Sequence, residues 1–265
     1  RGWNHDTFNV KEPATESWPY HAVANAIHAH SLLLSFPEVD KTRTAVTGIS
    51  WGGYLTCITA SVDSRFKAAV AVYGCGFLHE NSAMKRLFNG KTNQERLKQI
   101  QLWDPSSYTP TCKVPMLMCN GGKDFAYPPD SHAKTYASIP AEKNLHFVPD
   151  LKHGHIFNKP HAVEIFIANK LKHAKRLAKV AAPIISKGIV TANVATATEL
   201  VSAQLHYCLE KLPGNNRTRQ FTSVDATLEK NTIHVKAPPK DTTFWWLTVT
   251  DKRKVTTSSK LQFVK

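Results

Sequence analysis

Four times between residues 44 and 177 a short apolar run gives way to a helical pattern, and this alternation constrains the fold more than any other feature. "RTAVTG" precedes a helical stretch from about Gly52 to Val62, and "KAAVAVYG" precedes a polar, helical excursion from Asn81 to Leu102. "VPMLMCNG" leads to a helix from Pro129 to Ile139, and "LHFVP" to one from Ala162 to Leu177. Strand followed by helix, repeated, implies a mostly parallel sheet with helices on its faces. Ligands of such sheets collect at the carboxyl ends of the strands. One more helix is expected upstream, in "SWPYHAVANAIHAHSLLLSFP", with Pro19 in its first turn and Pro37 after its end. His21, His28 and His30 lie on it at spacings that any helix face produces, so no metal site is expected there.

Near Lys179 the pattern changes. "GIVTANVAT", "SAQLHYCLE", "NTIHVKA" and "TTFWWLTVTD" are β-rich and separated by turn signals such as Pro213-Gly214-Asn215. Two domains are therefore expected, an α/β domain over 1–178 and a small β-sandwich, immunoglobulin- or fibronectin-like, over 179–265. Trp245 and Trp246 could stack on a sugar. The expectation is instead that one packs in the sandwich core and the other against the first domain.

The composition, 42% hydrophobic and 20% charged, suits a chain with a packed core. A net charge of +14 raises the question of nucleic acid, but +7 lies on either side of Lys179 and no basic tail stands out, so a solvated basic surface is expected. No run of eighteen apolar residues marks a membrane span. Five cysteines with no C-x-x-C pair argue against a metal cluster or a disulfide framework.

Gly48-Ile49-Ser50-Trp51-Gly52 falls where the first of the four strands hands over to its helix. Gly-x-Ser-x-Gly in that context is a nucleophile elbow, with glycines for a strained turn and for access to the serine. The amide of Trp51, opening the helix, is placed to bind a developing oxyanion. Serine needs a base, and the base an orienting acid, in the chain order Ser, Asp or Glu, His. Asp124 follows the "MLMCNGG" strand; Asp130 is the alternative, in the next helix's first turn, where capping explains it. His153 and His155 follow the last strand, and His153 is favoured because it comes first. His155, Tyr73 and Trp103 are candidates for substrate binding, while Asp104 in "WDPSSY" reads as a turn or cap.

With these residues placed, the sequence resembles α/β-hydrolase-fold esterases of the acetyl xylan esterase-like or prolyl-oligopeptidase-like group, found in polysaccharide-degrading bacteria. The resemblance runs through "YHAVANAIHAHSLL", "PEVDKTRTAVTGISWGGYLTCI", "DSRFKAAVAVYGCGFLHENS", "LWDPSSY", "DFAYPPDS" and "HGH", roughly residues 18 to 170, and "WWLTVTDKRKVTTSS" resembles the sandwich appended in that group. It implies Ser50 as nucleophile, Asp124 as acid and His153 as base, with no cofactor or metal. It also implies a partial α/β-hydrolase fold. The family's first strands and its His-Gly-Gly-type loop, source of a second oxyanion donor, precede anything in this chain.

The expected activity is hydrolysis of a small acyl ester, with acetyl groups on a polysaccharide as the expected substrate. The alternatives are a serine peptidase with the same triad and a non-catalytic carbohydrate-binding module. Secretion, or a periplasmic location, is implied by the resemblance alone. Asn216-Arg217-Thr218 fits a glycosylation sequon.

Overall fold

A computed structural model describes residues 8–154 and 161–264 of the 265. Among them the chain runs through α1 (Trp18–Ser35), β1 (Ala45–Ile49), α2 (Trp51–Val62), β2 (Ala68–Val72), α3 (Asn93–Trp103), β3 (Met116–Lys123), α4 (Pro129–Ser138), β4 (Lys143–Lys152) and α5 (His161–Lys172). The α/β sheet has four parallel strands in the order β1-β2-β3-β4. Contacts divide the chain into two compact units. One runs to Met116 and includes Ala126–Lys143, while the other holds Leu117–Phe125 and the chain from Asn144.

In the first unit every residue of β2 is buried, as five small apolar side chains between covered faces should be. α2 packs on β1 and β2 and buries Tyr54, Cys57, Ile58 and Ala60. α1 is tied to it by a buried histidine: His30 Nδ1 lies 2.8 Å from Asp63 Oδ2, Nε2 lies 2.9 Å from Thr44 Oγ1, and the ring stacks on Phe66 at 3.7 Å. Burial alone would raise Asp63, but hydrogen bonds from Arg65 and His30 outweigh it and hold the carboxyl below the usual range. His30 is thus consumed by structure.

The second unit carries the β-rich domain: β5 (Lys179–Val180), β6 (Ile184–Ser186), β7 (Ile189–Ala195), β8 (Leu200–Cys208), β9 (Thr222–Glu229), β10 (Thr232–Lys236), β11 (Phe244–Asp251), β12 (Thr256–Ser258) and β13 (Gln262–Phe263). Seven of its strands join in one antiparallel path, β12-β11-β8-β9-β10-β7-β5, which curls until β5 comes near β12, while β13 pairs with β11 and β6 with β7 off that path. Alternate residues of β7 and β10 enter its core, among them Val190, Ala192, Val194, Ile233 and Val235.

β11 is buried on both faces, which accounts for its unbroken apolar run. Trp245, Leu247 and Val249 face the core. Trp246 instead donates its indole N–H to the Phe147 carbonyl at 3.0 Å, and Ser258 Oγ donates to that same oxygen at 2.9 Å. Phe147 belongs to β4, so the two tryptophans divide their tasks as expected, and neither offers a surface on which a sugar could stack.

Two local expectations differ from the structure. α5 ends at Lys172 rather than Leu177, with His173 in the left-handed region at φ 55. Leu177 and Ala178 are buried, and Ala178 joins the β-rich core, so the chain is pulled out of the helix to lead into β5. β9 has no counterpart among the expected strands: Val224, Ala226 and Leu228 alternate with polar residues along it, but none of the three is fully buried, so its apolar stripe is weak.

Candidate active site

Ser50 stands between β1 and α2 with φ 56 and ψ −117, a region that a non-glycine residue occupies only under constraint. Such a backbone costs about 1–3 kcal/mol and persists only where its surroundings impose it. Two hydrogen bonds impose it here. The Ser50 N–H donates to the Val72 carbonyl at the end of β2, and the Tyr54 N–H donates to the Ser50 carbonyl, each at 2.9 Å.

Close backbone approach completes the turn. A Cβ on Gly48 would lie 2.4 Å from the Gly52 backbone, and one on Gly74 would lie 2.0 Å from Gly53. A Cβ on Gly52 would meet nothing within 4 Å. The fold therefore requires Gly48, Gly53 and Gly74, whereas Gly52 leaves open space beside the serine. Gly53 and Gly74 lie outside or beyond the sequence motif, and only their contacts reveal them.

Trp51 begins α2, and its ring packs on Phe8, Trp18 and Tyr54 at centroid distances of 5.9, 5.7 and 5.1 Å. Tyr73 follows β2 at φ 59 and is buried. Trp103 is also buried; its carbonyl accepts from the Tyr54 hydroxyl, and its ring lies 6.0 Å from Phe8. Together with Tyr20, Val23, Ile27, Ile58 and Tyr108 it lines an apolar cavity of about 470 Å³.

Asp104 accepts from the backbone N–H groups of Phe77, Leu78 and Ser106 at 2.8, 3.0 and 2.9 Å, the capping role its sequence context indicated. Asp130 accepts from the side-chain amide of Asn81.

In the second unit Asp124 follows β3 directly and is fully buried, with Oδ2 3.0 Å from Nδ1 of His153. An ionised carboxylate can only accept, so a neutral imidazole bonded to one here would carry its proton on Nδ1 and leave Nε2 as the acceptor. Gly121 and Gly122 let β4 run close enough to bring the histidine there. A Cβ on Gly121 would lie 2.1 Å from the Leu151 carbonyl, and one on Gly122 would lie 2.3 Å from Phe221. The Phe125 ring meets the His153 ring edge-on at 5.3 Å. His155 lies outside the described residues.

The β-rich domain reaches the same loop, which no sequence pattern signalled. Asn216 is buried and donates Nδ2–H to the Asp124 carbonyl at 3.1 Å, while its Oδ1 accepts from Arg219 at 2.9 Å. With both ends of its side chain engaged, Asn216 is no glycosylation acceptor in the fold, and the sequon is an accident of sequence. Among the described residues no three His, Cys, Asp or Glu gather to hold a metal, no helix is long and apolar enough to cross a membrane, and the five cysteines are buried thiols with no disulfide between them.

The model of the prolyl oligopeptidase family of peptidases matches residues 10–181, more than half the chain. Among solved structures, acetyl xylan esterase 1 from Thermoanaerobacterium sp. superposes with a TM-score of 0.54 at 22% identity, over 63% of this chain and 58% of that one. An acetyl xylan esterase from Paenibacillus sp. gives 0.54 at 22% identity, over 60% and 55%. The acylaminoacyl peptidase of Pyrococcus horikoshii gives 0.52 at 20% identity, over 62% and 30%. The chain thus spans little more than half the length of those esterases. These similarities concern the fold, and the family match extends them to ancestry: the protein belongs to the prolyl oligopeptidase family, among the serine hydrolases of α/β-hydrolase fold.

Proposed function

We propose that this protein hydrolyses small acyl esters, with Ser50 as nucleophile, His153 as base and Asp124 as the acid that orients it. The observation that carries the reading is the strained Ser50 backbone at the start of α2. Strain of this kind clusters where it serves chemistry, and the hydrogen-bonded Asp124–His153 pair supports the same reading.

In the reaction, the Ser50 hydroxyl adds to the ester carbonyl as His153 Nε2 takes its proton. The amide of Trp51 donates to the oxyanion of the tetrahedral intermediate, a contribution of about 10²–10³ in rate. The intermediate collapses, the C–O bond to the alcohol breaks, and the imidazolium protonates the departing oxygen. Water then attacks the acyl-enzyme with His153 again as base, releasing the acid and regenerating Ser50. The buried Asp124 carboxylate holds the imidazole in the required tautomer and stabilises its charged form.

Acetyl groups on a polysaccharide are the substrate we favour, since two acetyl xylan esterases share the fold over more than half their length. A polymer cannot enter a cell, so export to the periplasm or medium belongs to this reading. The family match and the Pyrococcus peptidase favour amide cleavage as the second reading. Turnover of p-nitrophenyl acetate and acetylated xylo-oligosaccharides against aminoacyl-arylamides decides between them. Ser50→Ala should abolish turnover and labelling by a fluorophosphonate; a variant that keeps both removes Ser50 from its role.

A further inference from the structure

We propose that the turn at Asn215–Arg219 in the β-rich domain is a positioning element for the Asp124–His153 pair, so that this domain takes part in the reaction. The proposal rests on the reading of those two residues given above. Asp124 sits just past the end of β3, where strand pairing no longer holds the chain. Its carbonyl accepts from Asn216, ninety-two positions away in sequence.

Asn216 is in turn fixed by Arg219, whose side chain is fully buried. The Arg219 guanidinium donates to the carbonyls of Glu210 at 3.0 Å and of Lys211 at 3.4 Å, and to Cys208 Sγ at 3.5 Å. These acceptors are neutral. A buried cation spent on neutral acceptors is a costly way to stabilise a turn, and it makes better sense as a means of fixing one geometry.

The turn also reaches the base from its other side. The Arg217 guanidinium lies over the Phe125 ring at 3.9 Å, and that ring meets the imidazole of His153 at 5.3 Å. One short turn thus holds the main chain of the acid and backs the ring that packs on the base. An acid–base pair works only when its hydrogen bond is held within about half an ångström of the productive geometry. Displacement of about 1 Å costs on the order of 100-fold in rate.

The test uses Asn216→Ala and Asn216→Asp in the full chain. Asn216→Asp keeps the acceptor for Arg219 but turns a second acceptor toward the Asp124 carbonyl, so it removes the brace while leaving the turn anchored. Arg253→Ala is the control, because it breaks an ion pair with Asp251 elsewhere in the same domain. The readouts are kcat and KM for p-nitrophenyl acetate and the downfield proton resonance of His153 Nδ1, which reports its bond to Asp124 whether or not the enzyme turns over. Both Asn216 variants should lose kcat at least tenfold with KM changed less than twofold, and the resonance should broaden or vanish. Arg253→Ala should lower Tm and alter neither readout. Should Asn216→Ala fail to fold, Asn216→Asp decides. Wild-type kcat and an unchanged resonance in a folded Asn216 variant overturn the proposal. A wild type inert on every acyl substrate, whose resonance still responds to Asn216, overturns the catalytic reading and leaves the brace standing.

Discussion

Ser50 occupies a backbone region that serine does not favour, and the surrounding glycines show which part of the motif the fold demands. Gly48 cannot carry a side chain without meeting the Gly52 backbone, whereas Gly52 faces open space. The two positions should therefore separate on substitution. Gly48→Ala should destabilise by about 3 kcal/mol or more, because the obstacle is backbone rather than a movable side chain. Gly52→Ala should hold or raise Tm, since alanine is favoured over glycine in a helix by up to about 1 kcal/mol, yet lower turnover by filling part of the open space through which a substrate would approach. Thermal melts and steady-state kinetics on the two variants check this. A Gly52→Ala enzyme with full activity would show that the second glycine serves neither fold nor access. The pentapeptide was legible in the sequence; the division of labour between its glycines depends on how closely α2 lies against the strand ends.

Among the strands, β8 is secured by a buried histidine that no motif marks. His206 Nδ1 lies 2.8 Å from Ser223 Oγ on β9, and its Nε2 lies 2.8 Å from Thr248 Oγ1 on β11, so one ring links three neighbouring strands. Burial pushes His206 from 6.5 down to about 4, against an opposing pull from Asp150. The folded ring stays neutral where the unfolded chain would bind a proton. Unfolding therefore takes up a proton between pH of about 6.5 and 4, and stability falls as pH drops through that window. His206→Gln should shrink the fall by up to about 3 kcal/mol, measured as urea midpoints at pH 7 and pH 4.5. An unaltered slope would mean that His206 does not titrate in this way. Burial lowers His132 and His146 too, so some slope should remain. At this scale β1 to β4 were readable because each carries a short apolar run that gives way to a helical pattern. β9 carries a period-2 pattern in Val224, Ala226 and Leu228 too weak to mark it alone, and its pairing with β8 and β10 places it in the sheet.

For the molecule as a whole, the boundary drawn at residue 178 from composition is crossed by specific bonds. Trp246 and Ser258 hold the Phe147 carbonyl, the Phe221 ring presses on Gly122, and Asn216 holds the Asp124 carbonyl. A chain cut after Ala178 would leave β4 and the acid loop without these partners. It should show no cooperative melting transition by calorimetry and no fluorophosphonate labelling. A fragment that melts cooperatively and labels at Ser50 would demonstrate that the β-rich domain is dispensable.

The amino-acid sequence by itself determined the parallel α/β sheet and the strand–turn–helix around Ser50, and it marked Asp124 as the favoured candidate acid. These follow from local signals: apolar runs of strand length, glycines around a serine, and carboxylates placed just beyond strand ends. The tertiary structure alone decided where α5 stops, that β9 pairs, and that Asn216 and Arg219 stand behind Asp124. Each of these outcomes depends on burial and on hydrogen bonds between residues far apart in the chain, and no local pattern encodes which distant groups will meet once the core has closed.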